Sequence, residues 1–314
     1  MKLFLTILFA LFLRSAFGFE NVLFQGRDVR FTESPLANGR AWGWENTVNL
    51  QAKLFLPKTS LNGKQFAAVI LLHGSGNVQE EREIDYAKKL ANKGIAALVV
   101  ETYDSRKNNS SSSLTRINSV SALAQVSDAY SALKYLSERS DIDSSRIATM
   151  GFSMGGYTGY YLTDVSMKNL LSETKNNFAG HISFYPGWQI TFLDPHPTKA
   201  PLLAVLGGVD ELIDLEDAKK DIASRIKAGA KIELHVLESA AHAWEFKFSK
   251  RFDATSPNRK NCRMHIKPNG GLVWRETGNT NEKCQQFGYT VGQDKQAQEA
   301  AEALAFDFLS RIFN

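Results

Sequence analysis

The chain has 314 residues, 43% of them hydrophobic, which is enough to bury a full core, and α/β folds of this length commonly form one domain. Lysine and arginine number 37 against 33 acidic residues, so the net charge of +4 is too small to indicate a nucleic-acid-binding protein. No motif that reads nucleic acid is visible either. We therefore expect one domain without a nucleic-acid partner.

Residues 1–18 have the pattern of a secretory signal peptide. Lys2 precedes an apolar run from Leu3 to Leu13, and small residues follow as far as Gly18. The run is short for a membrane-spanning helix, which needs about 20 apolar residues. We expect cleavage after Gly18, export to the periplasm or the medium, and no stable membrane insertion afterwards. An uncleaved membrane anchor or a buried N-terminal helix is the alternative.

Beyond this segment, residues 19–44 show no clear period and are expected to form an N-terminal extension. From residue 45 onwards, predicted strands and helices alternate. The strands are Thr47 to Leu56 (an edge strand), Phe66 to His73, Ile95 to Val100, Arg146 to Gly151, His181 to Tyr185, Pro201 to Leu206 and Lys231 to Leu237. The helices are Glu80 to Asn92, Ser119 to Ser137, a segment from Ser153, Leu215 to Lys227 and Gln293 to Phe313. The alternation predicts an α/β fold whose mainly parallel sheet carries helices on both faces.

Residues 246–292 break this alternation and form a polar, aromatic insertion. The insertion holds the two cysteines, Cys262 and Cys284. In an oxidising compartment two thiols on one loop-rich segment are natural disulfide partners, and two free buried thiols are the alternative. His265 adds too few ligands for a closed zinc site, so no metal is expected.

The strongest chemical signal is the segment Gly151-Phe152-Ser153-Met154-Gly155-Gly156, which lies between a predicted strand and a predicted helix. This context is what a nucleophile elbow requires, because the flanking glycines allow close packing while the serine hydroxyl stays accessible. A glycine-rich turn with an ordinary serine is the alternative. The pattern indicates Ser153 as a nucleophile.

A serine hydroxyl needs a base, and the base needs an orienting acid, in the chain order serine, acid, histidine. Asp210 follows one buried strand, and His242 follows the next, as these roles require. Glu211 is the second candidate for the acid, and Asp210 could instead cap a helix. His235 alternates within a strand, which favours a structural role.

A third element, His73-Gly74-Ser75-Gly76-Asn77, follows the first strongly buried strand. Its small residues would let the amide of Ser75 point into the site beside the amide of Met154, so that both donate to an oxyanion. A plain strand-to-helix turn is the alternative. His73 is expected to hold the loop and to border the substrate.

Together these segments resemble the dienelactone hydrolase family of α/β-hydrolases from about Phe66 to Trp244 and over the last helix. The likeness rests on Leu72-His73-Gly74, Val99-Val100 with Tyr103-Asp104-Ser105-Arg106, the elbow, Ser183-Phe184-Tyr185-Pro186-Gly187, Gly208-Val209-Asp210 and Ala241-His242-Ala243. Dienelactone hydrolases proper use a cysteine nucleophile. Ser153 departs from that pattern, which favours a general serine esterase.

The resemblance implies a hydrolase that cleaves a small ester or lactone without a cofactor. Arg106 and Tyr185 are candidates to line the substrate pocket, where an arginine could pair with a carboxylate; a surface charge and a core aromatic are their alternatives. Residues 186–200 leave room for little or no cap, although the insertion at 246–292 could still shade the pocket. An exported peptidase or amidase, or a binding protein that kept the fold, remains a rival interpretation.

Overall fold

The computed structural model describes residues 18–30, 43–58, 63–275 and 284–314. The predicted signal peptide up to residue 17 lies outside the described residues, as do residues 31–42 of the predicted extension.

Thirteen strands occur in the described residues. They are β1 (Glu20–Arg30), β2 (Gly43–Phe55), β3 (Phe66–Leu72), β4 (Ala96–Val100), β5 (Ile142–Phe152), β6 (Gly180–Phe184), β7 (Ile190–Phe192), β8 (Leu202–Gly207), β9 (Ile232–Leu237), β10 (Arg251–Asn258), β11 (Met264–Ile266), β12 (Leu272–Trp274) and β13 (Gln286–Val291). Eight of them form the main sheet in the order β1-β2-β4-β3-β5-β6-β8-β9. From β4 to β9 all neighbours are parallel, whereas β2 runs antiparallel to both β1 and β4.

Helices cover both faces of this sheet, as predicted. The α-helices in the described residues are α1 (Asp85–Asn92), α2 (Ser113–Ser119), α3 (Ala122–Ser137), α4 (Met154–Tyr161), α5 (Val165–Leu171), α6 (Leu215–Lys227) and α7 (Lys295–Phe313). A π-helix (Glu80–Ile84) precedes α1, and a 3-10 helix (Asp104–Arg106) follows β4. Side chains of α3 to α6 join one hydrophobic core, and side chains of α1 and α7 join the other. Strands β4 and β8 are buried along their whole length for this reason, which is why they appear in the sequence as continuous apolar runs.

The edge of the sheet differs from the prediction. The strand predicted at Thr47 to Leu56 is not an edge strand, because β1 pairs with β2 over most of its length. Val22 and Phe24 of β1 pack on the core, whereas Leu23 between them is 70% exposed. Because an exposed leucine lies between two core residues, apolar and polar residues do not alternate here as they do in a typical half-buried strand. The sequence therefore predicts no strand in this segment.

The insertion is also more regular than its sequence indicates. Strands β10 and β13 form a two-stranded antiparallel ribbon. Strands β11 and β12 pair with each other, and β11 adds β7 as a parallel neighbour. The insertion is thereby attached to residues 186–200, the segment after β6 in which the sequence predicts no strand.

Candidate active site

The turn between β5 and α4 holds Ser153 in a backbone conformation that side chains rarely adopt, with φ 52° and ψ −108°. Two glycines make this turn possible because their neighbours leave no space for a side chain. A Cβ on Gly151 would lie 1.9 Å from the carbonyl oxygen of Gly155, and a Cβ on Gly155 would lie 2.0 Å from the carbonyl oxygen of Leu72. The turn therefore places the serine at the carboxyl ends of the strands, beside the N-terminus of α4.

Asp210 and His242 lie on the loops that follow β8 and β9, two neighbouring strands. Nε2 of His242 is 2.9 Å from Oγ of Ser153, and Nδ1 of His242 is 2.7 Å from Oδ2 of Asp210. A carboxylate can only accept, so Nδ1 carries the proton and Nε2 is left to accept from the hydroxyl. The structure thus brings the three predicted residues into one hydrogen-bonded row.

The acid in this row is held by a further contact. The amide of Leu212 donates to the other carboxylate oxygen of Asp210 at 2.9 Å, and the side chain of Asp210 is buried. Glu211, the second candidate, instead accepts a hydrogen bond from the amide of Thr290 on β13. Of the two acids, only Asp210 contacts His242.

The His242 imidazole packs in T-shaped geometry against two tyrosine rings. Ring centroids are 4.8 Å apart for His242 and Tyr185, and 5.2 Å apart for His242 and Tyr289. The amide of His242 also donates to the carbonyl oxygen of Thr290 at 3.3 Å, which ties the histidine loop to β13. The insertion therefore helps to orient this ring.

The two predicted oxyanion donors border the same cavity as Ser153. The Met154 amide is in the first turn of α4, so it has no acceptor within its own helix. The Ser75 amide belongs to the peptide whose carbonyl is that of Gly74. This carbonyl oxygen accepts from the Asn77 amide at 3.0 Å and from Nδ1 of His73 at 2.7 Å, which fixes the direction of the peptide.

His73 is fully buried and does not border the cavity, so its assignment to substrate binding is wrong. Its position at the end of the buried strand β3 turns the ring inward, against the ring of Tyr103. Burial lowers the pKa of His73 to about 4, and the imidazole is therefore neutral near neutral pH. Its hydrogen bond to Gly74 agrees with the expectation that it holds the loop.

A cavity of about 290 Å³ opens beside Ser153 and Met154. Its lining comes partly from helices α2 and α4 and partly from the insertion, whose contributions are Pro257, Arg259, Cys262, Met264, Ile266, Leu272 and Tyr289. The sequence left open whether the insertion shades the pocket. It does, because β11 and β12 form part of the wall.

The disulfide predicted between Cys262 and Cys284 is present and braces this wall. Cys262 borders the cavity, and its amide donates to the carbonyl oxygen of Arg259 at 2.8 Å. On the other side of the bridge, Gln285 accepts a hydrogen bond from Nε of Arg259 at 3.2 Å, and Asn118 accepts one from Nη2 at 2.6 Å. The disulfide thus joins the segment that carries Arg259 to the segment that carries Gln285, one of its two hydrogen-bond partners.

A second, smaller cavity of about 180 Å³ reaches Ser153 from the side of His242. Phe246 and Phe248 border it, with ring centroids 5.0 Å apart and nearly parallel planes. Arg251 also borders this cavity and lies over the Phe248 ring, 4.5 Å from its centroid.

Arg106 does not line either cavity, contrary to the prediction. Its buried guanidinium donates to both carboxylate oxygens of Asp128 at 2.8 Å and to Asp28 at 2.9 Å. The side chain joins β1 to α3, since Asp28 lies on the first and Asp128 on the second. The arginine is therefore part of a buried ion-pair network and is not available to a substrate.

Tyr185 is also fully buried and borders neither cavity, so its assignment to the pocket is wrong. Its hydroxyl donates to Oε2 of Glu245 at 2.5 Å, beneath the histidine loop. Burial raises the pKa of Glu245 to about 7, against the opposing effects of this hydrogen bond and of Arg82. Tyr185 contacts the site through its ring, which packs in T-shaped geometry against His242.

Four residues at the site were not predicted to contribute to it. Tyr289, Arg259 and Arg82 border a cavity, and Glu245 accepts the hydrogen bond from Tyr185. Glu245 and Arg82 are buried, whereas charged residues usually face solvent. Tyr289 and Arg259 lie in the insertion, where no period shows which side chains point inward. One available signal for Glu245 was its position three residues after His242, within an otherwise apolar segment.

Within the described ranges, no group of three or more histidine, cysteine, aspartate or glutamate side chains could hold a metal ion. Over the same residues, none of the helices combines the length and the apolar character needed to cross a membrane.

Sequence comparison identifies the family. The family model for the dienelactone hydrolase family matches residues 50–267, well over half of the chain. The chain belongs to the dienelactone hydrolase family. The matched region includes Ser153, Asp210 and His242 and ends within the insertion.

One curated protein to which this family member is similar is the uncharacterized protein YcjY of Escherichia coli strain K12. It is 32% identical over 113 residues, which are 36% of this chain and 36% of that protein. The chain therefore matches only about a third of the relative's length.

Solved structures share the fold of this family member at low sequence identity. The dienelactone hydrolase-like promiscuous phosphotriesterase P91 from metagenomic libraries superposes with a TM-score of 0.56 at 13% identity, covering 95% of this chain and 100% of that one. Esterase 2 of Thermogutta terrifontis, phosphoramylated by tabun, superposes with a TM-score of 0.55 at 17% identity, covering 92% and 96%. Both likenesses establish the α/β-hydrolase fold.

Proposed function

We propose that this protein is a serine hydrolase that cleaves carboxylic ester or lactone bonds of small substrates through an acyl-enzyme intermediate. The observation that carries the proposal is the row of hydrogen bonds from Ser153 through His242 to Asp210. Membership in the dienelactone hydrolase family supports a hydrolase activity in general. The choice of an ester bond is the part that we infer.

In the proposed reaction, Ser153 attacks the acyl carbon while its proton passes to Nε2 of His242. Asp210 keeps the proton on Nδ1 and stabilises the imidazolium that forms. His242 then returns the proton to the leaving alcohol, and a water molecule, deprotonated by the same histidine, releases the acid. The amides of Ser75 and Met154 donate to the oxyanion in both steps.

The site also favours this chemistry electrostatically. The oxyanion forms beside the N-terminus of α4, where unpaired amides and the helix dipole stabilise negative charge. The peptide that carries the Ser75 amide is already held by two hydrogen bonds, so it need not reorient during the reaction. Removing one such donor costs roughly 100-fold or more in kcat in other enzymes.

The decisive experiment combines a substrate panel with covalent labelling. We expect the wild type to hydrolyse short p-nitrophenyl esters or lactones and to react with a fluorophosphonate probe at Ser153, and Ser153→Ala to do neither. Turnover of aminoacyl amides in preference to esters would indicate an amidase. A chain that neither reacts with the probe nor hydrolyses any member of the panel would be a binding protein that kept the fold.

We further propose that the protein is exported and that its chain is cleaved after Gly18. The disulfide supports an oxidising compartment. Cleavage there would leave Phe19 as the first residue, next to β1, with its ring 5.2 Å from that of Phe55. Mass spectrometry of the mature protein tests this directly, since an intact Met1 would contradict the cleavage.

A further inference from the structure

The two cavities at the active site meet at Ser153 but border different parts of the catalytic machinery. Among the described residues, the larger cavity borders the oxyanion donor Met154 and not His242. The smaller cavity borders His242 and not Met154. Since Ser153 and Ser75 border both, a substrate bound at the serine would extend into each.

Proton transfer decides which half of the substrate enters which cavity. When the tetrahedral intermediate collapses, the bond between the acyl carbon and the alcohol oxygen breaks, and that oxygen takes the proton from Nε2 of His242. The alcohol must therefore leave on the side of His242, which is the side of the smaller cavity. The acyl chain is left with the larger cavity beside the oxyanion donors.

We propose that the larger cavity is the acyl-chain subsite and the smaller cavity is the alcohol subsite, so that the substrate is an ester joining an apolar acyl chain to an alcohol with a planar ring. This inference rests on the proposed serine hydrolase function, which it deepens. It adds which half of the substrate binds in which cavity, and the chemical class of each half.

The lining of the larger cavity supports an apolar chain. Ile117, Met264 and Leu272 border it from three separate elements, α2, β11 and β12. The one guanidinium in the lining, that of Arg259, is hydrogen-bonded to Asn118 and Gln285. An apolar chain bound here is removed from water, which favours binding in proportion to the area buried.

The lining of the smaller cavity supports a planar ring. The rings of Phe246 and Phe248 stack on each other, and two guanidinium groups of the lining lie over them, that of Arg251 4.5 Å from the Phe248 centroid and that of Arg82 5.6 Å from the Phe246 centroid. A planar aromatic ring bound here can contact the edges of the phenylalanine rings or stack on the guanidinium groups, and both contacts are favourable. Aromatic rings attract one another in offset or edge-to-face geometry beyond the effect of buried area alone. A saturated ring of the same size lacks this attraction.

The acyl subsite is tested with benzyl esters of unbranched acids from acetate to octanoate. We expect Leu272→Trp to lower kcat/KM for the longer esters by roughly tenfold or more while the acetate changes little, because the indole fills space that the chain occupies. Leu272→Ala should shift the preference towards longer chains. The matched control is Leu193→Trp, at a half-exposed residue outside both cavities, which should leave the chain-length profile unchanged.

The alcohol subsite is tested with benzyl and cyclohexylmethyl esters of the same acid, whose alcohols have similar intrinsic reactivity. We expect the wild type to prefer the benzyl ester, and Phe248→Leu to reduce that preference by about threefold to tenfold. The matched control is Phe252→Leu, which removes an exposed ring on β10 that borders neither cavity. It should keep the preference of the wild type.

The assignment is overturned if Leu272→Trp changes the alcohol preference and leaves the acyl profile unchanged, or if Phe248→Leu does the reverse. It is also overturned if neither variant changes any preference. Calorimetric binding of benzyl hexanoate to Ser153→Ala, alone and with each second substitution, keeps the test independent of turnover. If the wild type does not react with the probe at Ser153 while the binding effects persist, the proposed chemistry is refuted, and the two cavities keep their binding preferences without the acyl and alcohol roles.

Discussion

Glu245→Gln tests whether the buried carboxyl beneath the histidine loop titrates within the folded protein. The residue is 2% exposed, and burial raises its pKa from the ordinary 4.5 to about 7. The folded protein therefore holds this proton more tightly than the unfolded chain does. As pH rises from 4.5 through 7, the unfolded chain loses the proton first, so the free energy of unfolding of the wild type falls.

The amide of a glutamine has no proton to lose, and its oxygen can still accept from the Tyr185 hydroxyl. Relative to the wild type, the free energy of unfolding of Glu245→Gln should therefore rise by roughly 2 to 3 kcal/mol between pH 5 and pH 8. Only the change in the difference between the two proteins is predicted, because contributions from other groups cancel in it.

Urea denaturation of both proteins at the two pH values, with the disulfide intact, measures this change. Glu238→Gln is the matched control for removing a carboxylate, because Glu238 is exposed at the end of β9. The reasoning is refuted if the free energy of unfolding of Glu245→Gln minus that of the wild type is the same at both pH values, or is lower at pH 8 than at pH 5.

Three further predictions concern the framework of the site. Gly155→Ala places a Cβ 2.0 Å from a strand carbonyl oxygen, so we expect a loss of roughly 3 kcal/mol or failure to fold, measured by thermal unfolding beside the tolerant surface control Gly76→Ala. Reducing the bridge between Cys262 and Cys284, which are 22 residues apart, should cost about 3 kcal/mol in urea denaturation and weaken selection by acyl length; unchanged stability would contradict this. Arg106→Met leaves the buried Asp128 unpaired and should cost about 3 to 5 kcal/mol while kcat/KM of the folded enzyme stays near that of the wild type. If Arg106→Met instead raises KM without lowering stability, Arg106 contacts the substrate and this reasoning is wrong.

The sequence was sufficient for seven of the eight strands of the main sheet and for the row of Ser153, His242 and Asp210, because both depend on local patterns. Continuous apolar runs identify strands buried on both faces, and the glycines around Ser153 are required by atoms that lie within a few residues or on the next strand. Asp210 and His242 follow from chain order and from strand ends, which need no knowledge of side-chain packing. The structure places Ser153, His242 and Asp210 within hydrogen-bonding distance in the order that the sequence predicts.

The errors concern residues whose position depends on distant parts of the chain. Arg106 was expected in the pocket, but its carboxylate partners lie 78 and 22 residues away, and one of them is on the unpredicted strand β1. Tyr185 was expected to meet the substrate, but its partner is 60 residues away. No local period reports such pairings, and the same applies to the wall that the insertion contributes.

The bond between the histidine loop and β13 has a consequence for attempts to change this enzyme. The strand that ends the insertion supplies Tyr289 to both cavities and also receives the amide of His242 through its Thr290 carbonyl. Exchanging the insertion for that of a relative would therefore change the lining of both cavities and displace His242 at the same time. Engineering of selectivity is better directed at single side chains of β11 and β12, which form no hydrogen bond to the histidine loop within the described residues.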